Sequence, residues 1–449
     1  MKTLFTALFL GLLTSLCAKP PADTQLQLEA FLKDKPGGVA VAWVDGDGVA
    51  FFQSGKFAAK DPRVITPDTQ FEIGSVTKVF TALLLAESER AGKACRNDPV
   101  ATYLLPADDD ARAALAKITL LSLTTHTSGL PRLPSDFASK DRANPYAALK
   151  RADLVQSLRR EGPLAKPGAT VSYSNFGVAL LGEALAEAWH TSYADALRTH
   201  VLTPLALTAT TLAQTGIPTP RDLAPGHSKA GEPVAHWESD AYAPCVSLIS
   251  NARDLAKFLQ AALGDEKTPL HAAFAAITTA QRPAPVEGGS VGLGWFITAN
   301  AERPIVWHNG HTAGFYTFVG FTRAGGGAGV AILTNHSVSV DEMGFSLLSA
   351  QPVAAAPPKE ISLPAETLAG YVGEYRASPK FAFDVTLQSG ALFAQVTNQG
   401  KLALFATAPD EFFYKAVAAK ISFTRDAAGK ITGLVLHQNG HDLPAKRVE

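Results

Sequence analysis

Sulfur is scarce in this sequence. Three cysteines and two methionines stand among 449 residues, which excludes a disulfide framework and a site built from clustered thiolates. Cys17 falls in the extreme N-terminal segment, so Cys95 and Cys245 remain. An exported compartment permits a bridge between them, but two buried free thiols is the expectation. His308 and His311 are close in sequence, yet no acidic or thiol partner stands at a zinc spacing, and neither a metal nor a cofactor is expected. An excess of charge is also missing. Lys and Arg number 40 against 41 Asp and Glu, so the concentrated basic surface needed for nucleic acid or an anionic membrane is absent.

Long apolar runs are lacking too, with one exception. Lys2 is followed by the run Leu4 to Leu16, then Ala18, then Lys19-Pro20-Pro21. That run is short for a bilayer span and fits a signal-peptide core. Residues 1–18 therefore read as a signal peptide, the protein as exported to the periplasm or beyond, and its mature form as free of the membrane.

What is present is an ordered change of pattern. Thr24 to Lys33 reads as a helix. Val39 to Val44 and Val49 to Gln53 read as strands, joined by the hairpin turn Asp45-Gly46-Asp47-Gly48. From Ser75 the apolar spacing is helical through Val79, Phe80, Leu83, Leu84 and Ala86. Further helices are expected over Ala111 to Ala116, Leu120 to Thr125, Tyr146 to Arg159, Val178 to Ala188, Tyr193 to Val201 and Ala252 to Leu263. Strands return at Gly292 to Ile297, Ile305 to His308, Phe315 to Phe321 and Gly329 to Asn335. Strands first and last with helices between predict an α+β domain over 23–350, an antiparallel sheet flanked by helices with a helical subdomain. Residues 351–361, rich in proline and alanine, read as a linker. Beyond them, short alternating segments separated by turns predict a small all-β domain over 362–449.

Three motifs carry chemistry, and each occurs once. In Ser75-Val76-Thr77-Lys78 the helical i, i+3 spacing puts both side chains on one face. Serine needs a base to become a nucleophile, and a desolvated lysine near other cations can give up its proton and serve as one. The Ser75 N–H, at the helix start, is free to donate to an oxyanion. In Tyr173-Ser174-Asn175 the two-residue spacing puts Tyr173 and Asn175 on one side of an extended segment. Tyr173 can shuttle a proton, and Asn175 can hold a substrate carbonyl or the lysine. In His308-Asn309-Gly310 a strand histidine can meet a substrate carboxylate while Gly310 lets substrate backbone approach. With an ordinary histidine pKa of ~6.5, His308 would give carboxylate substrates a bell-shaped pH profile. Gly288-Gly289-Ser290-Val291-Gly292 matches a nucleophile elbow, but prolines precede it and a glycine-rich strand follows, so it reads as a loop. His126 and Asp254 read as structural.

Together the motifs Phe71-Glu72-Ile73-Gly74-Ser75-Val76-Thr77-Lys78, Tyr173-Ser174-Asn175 and His308-Asn309-Gly310-His311-Thr312-Ala313-Gly314-Phe315 resemble the class C β-lactamase and DD-peptidase family, peptidase family S12. Residues 118–129, Pro167-Gly168, Gly292 to Trp295 and Leu333-Thr334-Asn335 add to the resemblance, which runs over residues 23 to 350. It implies a site between a helical subdomain and an antiparallel sheet. By resemblance Ser75 is the acylated nucleophile, Lys78 its base, Tyr173 the relay and Asn175 a substrate contact. The N–H groups of Ser75 and His311 would form the oxyanion hole. The C-terminal region resembles the lipocalin-like domain appended to some of these hydrolases. Class C β-lactamases have Lys-Thr-Gly where this chain has His308-Asn309-Gly310, and the histidine looks more like a DD-peptidase or a peptidase and esterase branch. The substrate is expected to be a small molecule or short peptide carrying an amide, β-lactam or ester. The alternatives are a D-amino-acid-specific peptidase or D-Ala-D-Ala carboxypeptidase, an esterase, and a non-catalytic penicillin-binding or scaffold protein, which would have no reason to keep Ser75, Lys78 and Tyr173 together.

Limited proteolysis is expected to nick between Gln351 and Ile361 and leave two compact fragments. Resistance there, with cutting elsewhere, would misplace the boundary.

Overall fold

Strand β1 (Gly38–Asp45) is buried along almost its whole length, and the reason lies in its alternation. Successive side chains of a strand point to opposite faces. Val39, Val41 and Trp43 share a core with Leu28 and Leu32 of helix α1 (Thr24–Leu32). Ala40, Ala42 and Val44 belong to the larger core on the other face, with Leu255 and Leu259 of the Ala252–Leu263 helix. The computed structural model in which this is seen describes residues 20–448, apart from 138–140, 142, 265, 285–288, 301–302, 350–359, 379–380, 389, 398–400, 415–418 and 439–440. The signal-peptide reading and nearly all of the 351–361 linker thus lie outside the described residues.

The α+β architecture is as the sequence implies. Strand β2 (Gly48–Ala58) returns from β1 through Gly46-Asp47, with Asp45 opposite Gly48. The sheet adds β3 (Asp61–Val64), β4 (Arg282–Pro283), β5 (Ser290–Val291), β6 (Phe296–Ile297), β7 (Val306–His311), β8 (Tyr316–Thr322) and β9 (Ala328–Thr334). Its order is β3-β2-β1-β9-β8-β7-β6-β5-β4, so the first and last strands of the domain meet at β1 and β9 in antiparallel register. Between them in sequence lie the helices, chiefly α2 (Thr77–Arg90), α3 (Asn175–Trp189) and α4 (Ala252–Leu263). Helix α2 is buried from Thr77 to Ser88.

Several expectations shift. The Tyr146 to Arg159 helix begins only at Arg151, because extended Lys150 caps it through Asp153 while Tyr146 joins an aromatic cluster. The Tyr193 to Val201 helix is α-helical to Leu197 and π-helical from Arg198 to Leu202. Of Gly292 to Ile297 only Phe296–Ile297 is strand; Gly292 turns back to the Trp295 carbonyl. Helix α5 (Asp341–Ser349), on the α1 side of the sheet, was not foreseen. Cys95 is exposed and Cys245 buried; both are free thiols. Among the described residues no helix is long and apolar enough to cross a membrane.

The C-terminal region is a closed barrel of eight antiparallel strands running from Gly373–Ser378 to His441–Arg447, sealed where Tyr375 stands opposite Arg447. Its interior is its own core, with Tyr371, Tyr375, Phe383, Val385, Ile421 and Leu434 fully buried. The alternation read in the sequence is the inside–outside alternation of a small barrel filled by side chains.

One side chain knits the end of strand β9 to the loops around it. Asn335 is fully buried; its amide donates to the Phe57 and Pro225 carbonyls at 2.8 and 2.7 Å and accepts from Gly38 N at 2.7 Å. Asn335→Ala strands two buried backbone groups and one part-buried carbonyl and is expected to cost about 2–4 kcal/mol. The check is the urea midpoint of the transition of residues 23–350; a loss below about 0.5 kcal/mol would show the bonds to be replaceable.

Candidate active site

The nucleophile candidate stands where a strand ends and a helix begins. Gln70–Glu72 pairs with Leu248–Asn251, the chain passes through a 3-10 turn at Gly74–Val76, and α2 follows. Thr77 fixes this junction. Its hydroxyl donates to the Gly74 carbonyl at 2.6 Å and accepts from Leu248 N at 3.1 Å. Ser75 is half-buried at the mouth of the turn, and Lys78 is 1% exposed in the first turn of α2. Lys78 Nζ donates to Ser75 Oγ at 2.9 Å and to the Cys245 carbonyl at 2.8 Å.

Strand β7 arrives at the same turn without side chains in between. A Cβ on Gly310 would overlap the Ile73 carbonyl oxygen and stand 3.0 Å from Ser75 N; one on Gly74 would lie 2.7 Å from His311 N. The backbone amides of Ser75 and His311 therefore flank one glycine-to-glycine contact. Strand β6 pairs with β7 only at Val306 and Trp307. From His308 onward that side of β7 has no strand beside it among the described residues.

Tyr173 comes from a third segment. It precedes α3, whose N-cap Ser174 accepts from Gly177 N at 2.8 Å and donates to the Pro131 carbonyl at 2.6 Å. The Arg132 carbonyl accepts from both Asn175 N and Phe176 N at 3.1 Å. The Tyr173 ring lies 4.9 Å from Lys78 Nζ and 5.1 Å from the Arg132 guanidinium carbon, and it packs on His126 at 4.4 Å. Asn175 is buried. One end of its amide meets the Tyr146 hydroxyl at 3.1 Å, and the other has no hydrogen-bond partner.

His308 departs from its expected role. It is 1% exposed, its ring packed against Phe296 and Tyr173. Its Nδ1 is 2.6 Å from the Asn309 carbonyl, which can only accept, so Nδ1 carries the proton. Nε2 is buried with no partner. Burial, then the charge of Lys78, pushes its pKa down to about 3. It is a neutral, sealed ring and not a titrating anchor for a carboxylate. Asn309, between the motif's ends, points elsewhere: its amide donates to buried Asp341 at 2.7 Å and to the Tyr316 hydroxyl at 3.2 Å. His311 is exposed, its ring bonded to Ser337 Oγ at 2.6 Å.

The decoy motif has no elbow geometry: Ser290 lies in β5 between β4 and β6, with no helix after it. Asp254 is structural, accepting from Ala209 N and Thr210 Oγ1 beside α4. His126 is more than that. It sits at positive φ (57°), accepts Ser174 N–H on Nδ1 at 3.2 Å, and forms a wall of the site beneath Tyr173. Burial and the nearby charges of Lys78, His308 and Arg132 hold its pKa well below the usual histidine value. His126, Arg132, Tyr146, Phe296 and the Cys245 carbonyl were not singled out by the motifs. His126 lies within the 118–129 stretch, Arg132 just past it and Phe296 next to Trp295, while Tyr146 and Cys245 carry no such signal. Among the described residues no group of acidic, histidine or cysteine side chains could hold a metal ion.

An antiparallel sheet beside a helical layer, with serine, lysine and tyrosine converging at their junction, defines the class of penicillin-recognising serine hydrolases. The chain belongs to the Beta-lactamase family, whose sequence model matches residues 28–347; it is a serine hydrolase of that family. A second model, described as a domain of unknown function (DUF3471), matches residues 357–447. The chain is similar to a Beta-lactamase of Pseudomonas fluorescens, 29% identical over 58% of this chain and 68% of the relative. It is also similar to Penicillin-binding protein 4* of Bacillus subtilis (strain 168), 24% identical over 93% of this chain and 96% of the relative. Among solved structures, the class C beta lactamase from Rhodobacter sphaeroides is 25% identical with a TM-score of 0.60, covering 71% of this chain and 95% of its own. SurE shares the fold over 95% of this chain and 98% of its own, at 24% identity and a TM-score of 0.62.

The state of His308 has a measurable consequence. Its pKa is lower folded than unfolded, so between pH ~6.5 and about 3 the unfolded chain binds the extra proton. The stabilisation by neutral His308 is complete above ~6.5 and is lost as pH falls, by roughly 3 kcal/mol at pH 4. His308→Gln should flatten the fall in melting temperature between pH 7 and pH 4 relative to wild type. Parallel curves for the two proteins would mean that His308 titrates freely.

Proposed function

We propose that the chain hydrolyses a small amide, β-lactam or ester through an acyl-enzyme on Ser75. The observation that carries this is the 2.9 Å contact between Lys78 Nζ and Ser75 Oγ, with the lysine held from behind by the Cys245 carbonyl. In this reading neutral Lys78 takes the Ser75 proton as Oγ attacks the carbonyl carbon. The developing oxyanion is met by the N–H groups of Ser75 and His311, preset by the Gly74–Gly310 contact. Tyr173, against the lysine, passes the proton to the leaving nitrogen or oxygen. Water then attacks the ester, and the same groups run the proton back to Ser75. The Asn175 amide nitrogen donates to Tyr146, so the unpartnered end is the amide oxygen, an acceptor left for the lysine or for a substrate N–H.

The neutral His308 favours esters and uncharged amides over substrates read through a carboxylate at β7, so a D-Ala-D-Ala carboxypeptidase activity would need its cation elsewhere. The same reading makes residues 1–18 a cleaved signal peptide, places the protein in the periplasm or outside the cell, and treats residues 23–350 and 362–449 as separate domains.

Labelling with a fluorescent penicillin or a fluorophosphonate is expected to add mass to the peptide that carries Ser75. Ser75→Ala should lose the label and at least about 10⁴-fold in turnover. Lys78→Ala should lose nearly as much, and the double variant little more, because the residues act as one unit. Ser290→Ala should stay within about twofold of wild type. A dead Ser290→Ala beside an active Ser75→Ala reverses the assignment.

A further inference from the structure

Arg132 is an exposed cation placed against the site, with no ion-pair partner among the described residues. Its backbone is fixed, since its carbonyl caps the start of α3 through Asn175 N and Phe176 N. Its guanidinium carbon lies 5.1 Å from the centre of the Tyr173 ring, the ring that Lys78 Nζ also approaches. Other cations of this neighbourhood are paired. Lys150 bonds Asp240 at 2.6 Å, and Arg160 bonds Asp136 and Glu161 at 2.5 and 3.2 Å. Among the described residues no carboxylate or carbonyl accepts from the Arg132 side chain. Its charge is nonetheless felt inside, helping to hold His126 in its neutral form.

The other positive candidates at the site are committed. Lys78 is buried and bonded to Ser75 and Cys245. His308 offers a sealed acceptor, not a donor, with Nδ1 turned to the Asn309 carbonyl. Among the described residues, the forked donor left for a carboxylate entering with the substrate is Arg132, and guanidinium is the group whose geometry matches a carboxylate with two parallel hydrogen bonds.

We propose that Arg132 is the anion anchor of this site, binding a carboxylate that the substrate carries within a few bonds of its scissile carbonyl. Recognition of charge is thereby moved from strand β7 to the Tyr173 side. This rests on the reading of Ser75 as nucleophile and adds the substrate class to it.

Two matched ester series test it. In the first, 4-nitrophenyl butyrate is compared with the 4-nitrophenyl monoester of adipic acid, which carries a carboxylate on the acyl side. In the second, phenyl acetate is compared with 3-acetoxybenzoate, which carries it on the leaving group. Wild type should favour the anionic member of at least one series, and the ratio of kcat/KM values should shrink as salt is added. Arg132→Gln should lower that ratio roughly tenfold, mainly through KM, and Arg132→Lys should keep part of it. Arg132→Glu should invert it toward a cationic aminoacyl ester. Ratios that are the same in wild type and Arg132→Gln in both series overturn the proposal, as does an equal loss on both members, which is what a mere packing role on Tyr173 would give. Failure of wild type to label at Ser75 overturns the hydrolase reading and this proposal together.

Discussion

Two glycines set the distance on which the rest of the site depends. Gly310 and Gly74 let strand β7 and the Ser75 turn meet backbone to backbone, closer than any Cβ at either position allows. The consequence is that the Ser75 and His311 amides are positioned by main chain alone, with no rotamer to choose at the moment of reaction. Preorganised donors of this kind act at little reorganisation cost. The contact also ties the sheet to the helical part of the domain at the point where chemistry is proposed. Thr77 completes it from the other side, holding the turn to the Leu248–Asn251 strand.

Most of the fold was legible because its signals are local. Helix α4 carries the Asn251 cap, whose side chain accepts from Asp254 N, and the left-handed Gly264 just past its end, and it is found at the bounds the sequence implied. The β1–β2 hairpin follows from its two-residue turn, and the barrel from period-two alternation. Elements fixed by tertiary contacts were not legible. The short strands β4 and β5 are two residues each. Tyr146 looks like the start of a helix, but its ring is claimed by Trp237, Tyr242 and Phe137. Helix α5 draws its stability from Met343, Phe345, Leu347 and Leu348 packed on the sheet, a reward that no spacing rule reads in advance.

The candidate site was legible in its motifs and not in its walls. Ser75, Lys78, Tyr173, Asn175, Gly310 and His311 are brought to one place, as motif reasoning expected. His126, Arg132 and the Cys245 carbonyl reach it through loops whose course the sequence does not state. His308 keeps a pKa well below the ordinary histidine value, and the means to read this were present in the sequence. If Gly310 must face a close neighbour, then period two puts His308 on the same buried face of β7. Residue type supplies only the pKa of an exposed histidine; burial decides which state the folded chain keeps.

A buried lysine that no carboxylate pairs among the described residues needs another kind of environment. Around Lys78 this is supplied by the Cys245 carbonyl, the Ser75 hydroxyl and the face of Tyr173, all polar or polarisable and all uncharged. The two histidines packed on Tyr173 have pKa values held well below the usual histidine value, by burial first and then by the nearby Lys78. This separates the duties of the site's groups. Neither His126 nor His308 changes charge near neutral pH. In the proposed reading, proton transfer is left to Ser75, Lys78 and Tyr173. Among the described residues, the guanidinium of Arg132 stands exposed beside these three with no carboxylate accepting from it. In the proposed reading, proton transfer and charge recognition fall to different residues, so the first can be tuned without disturbing the second.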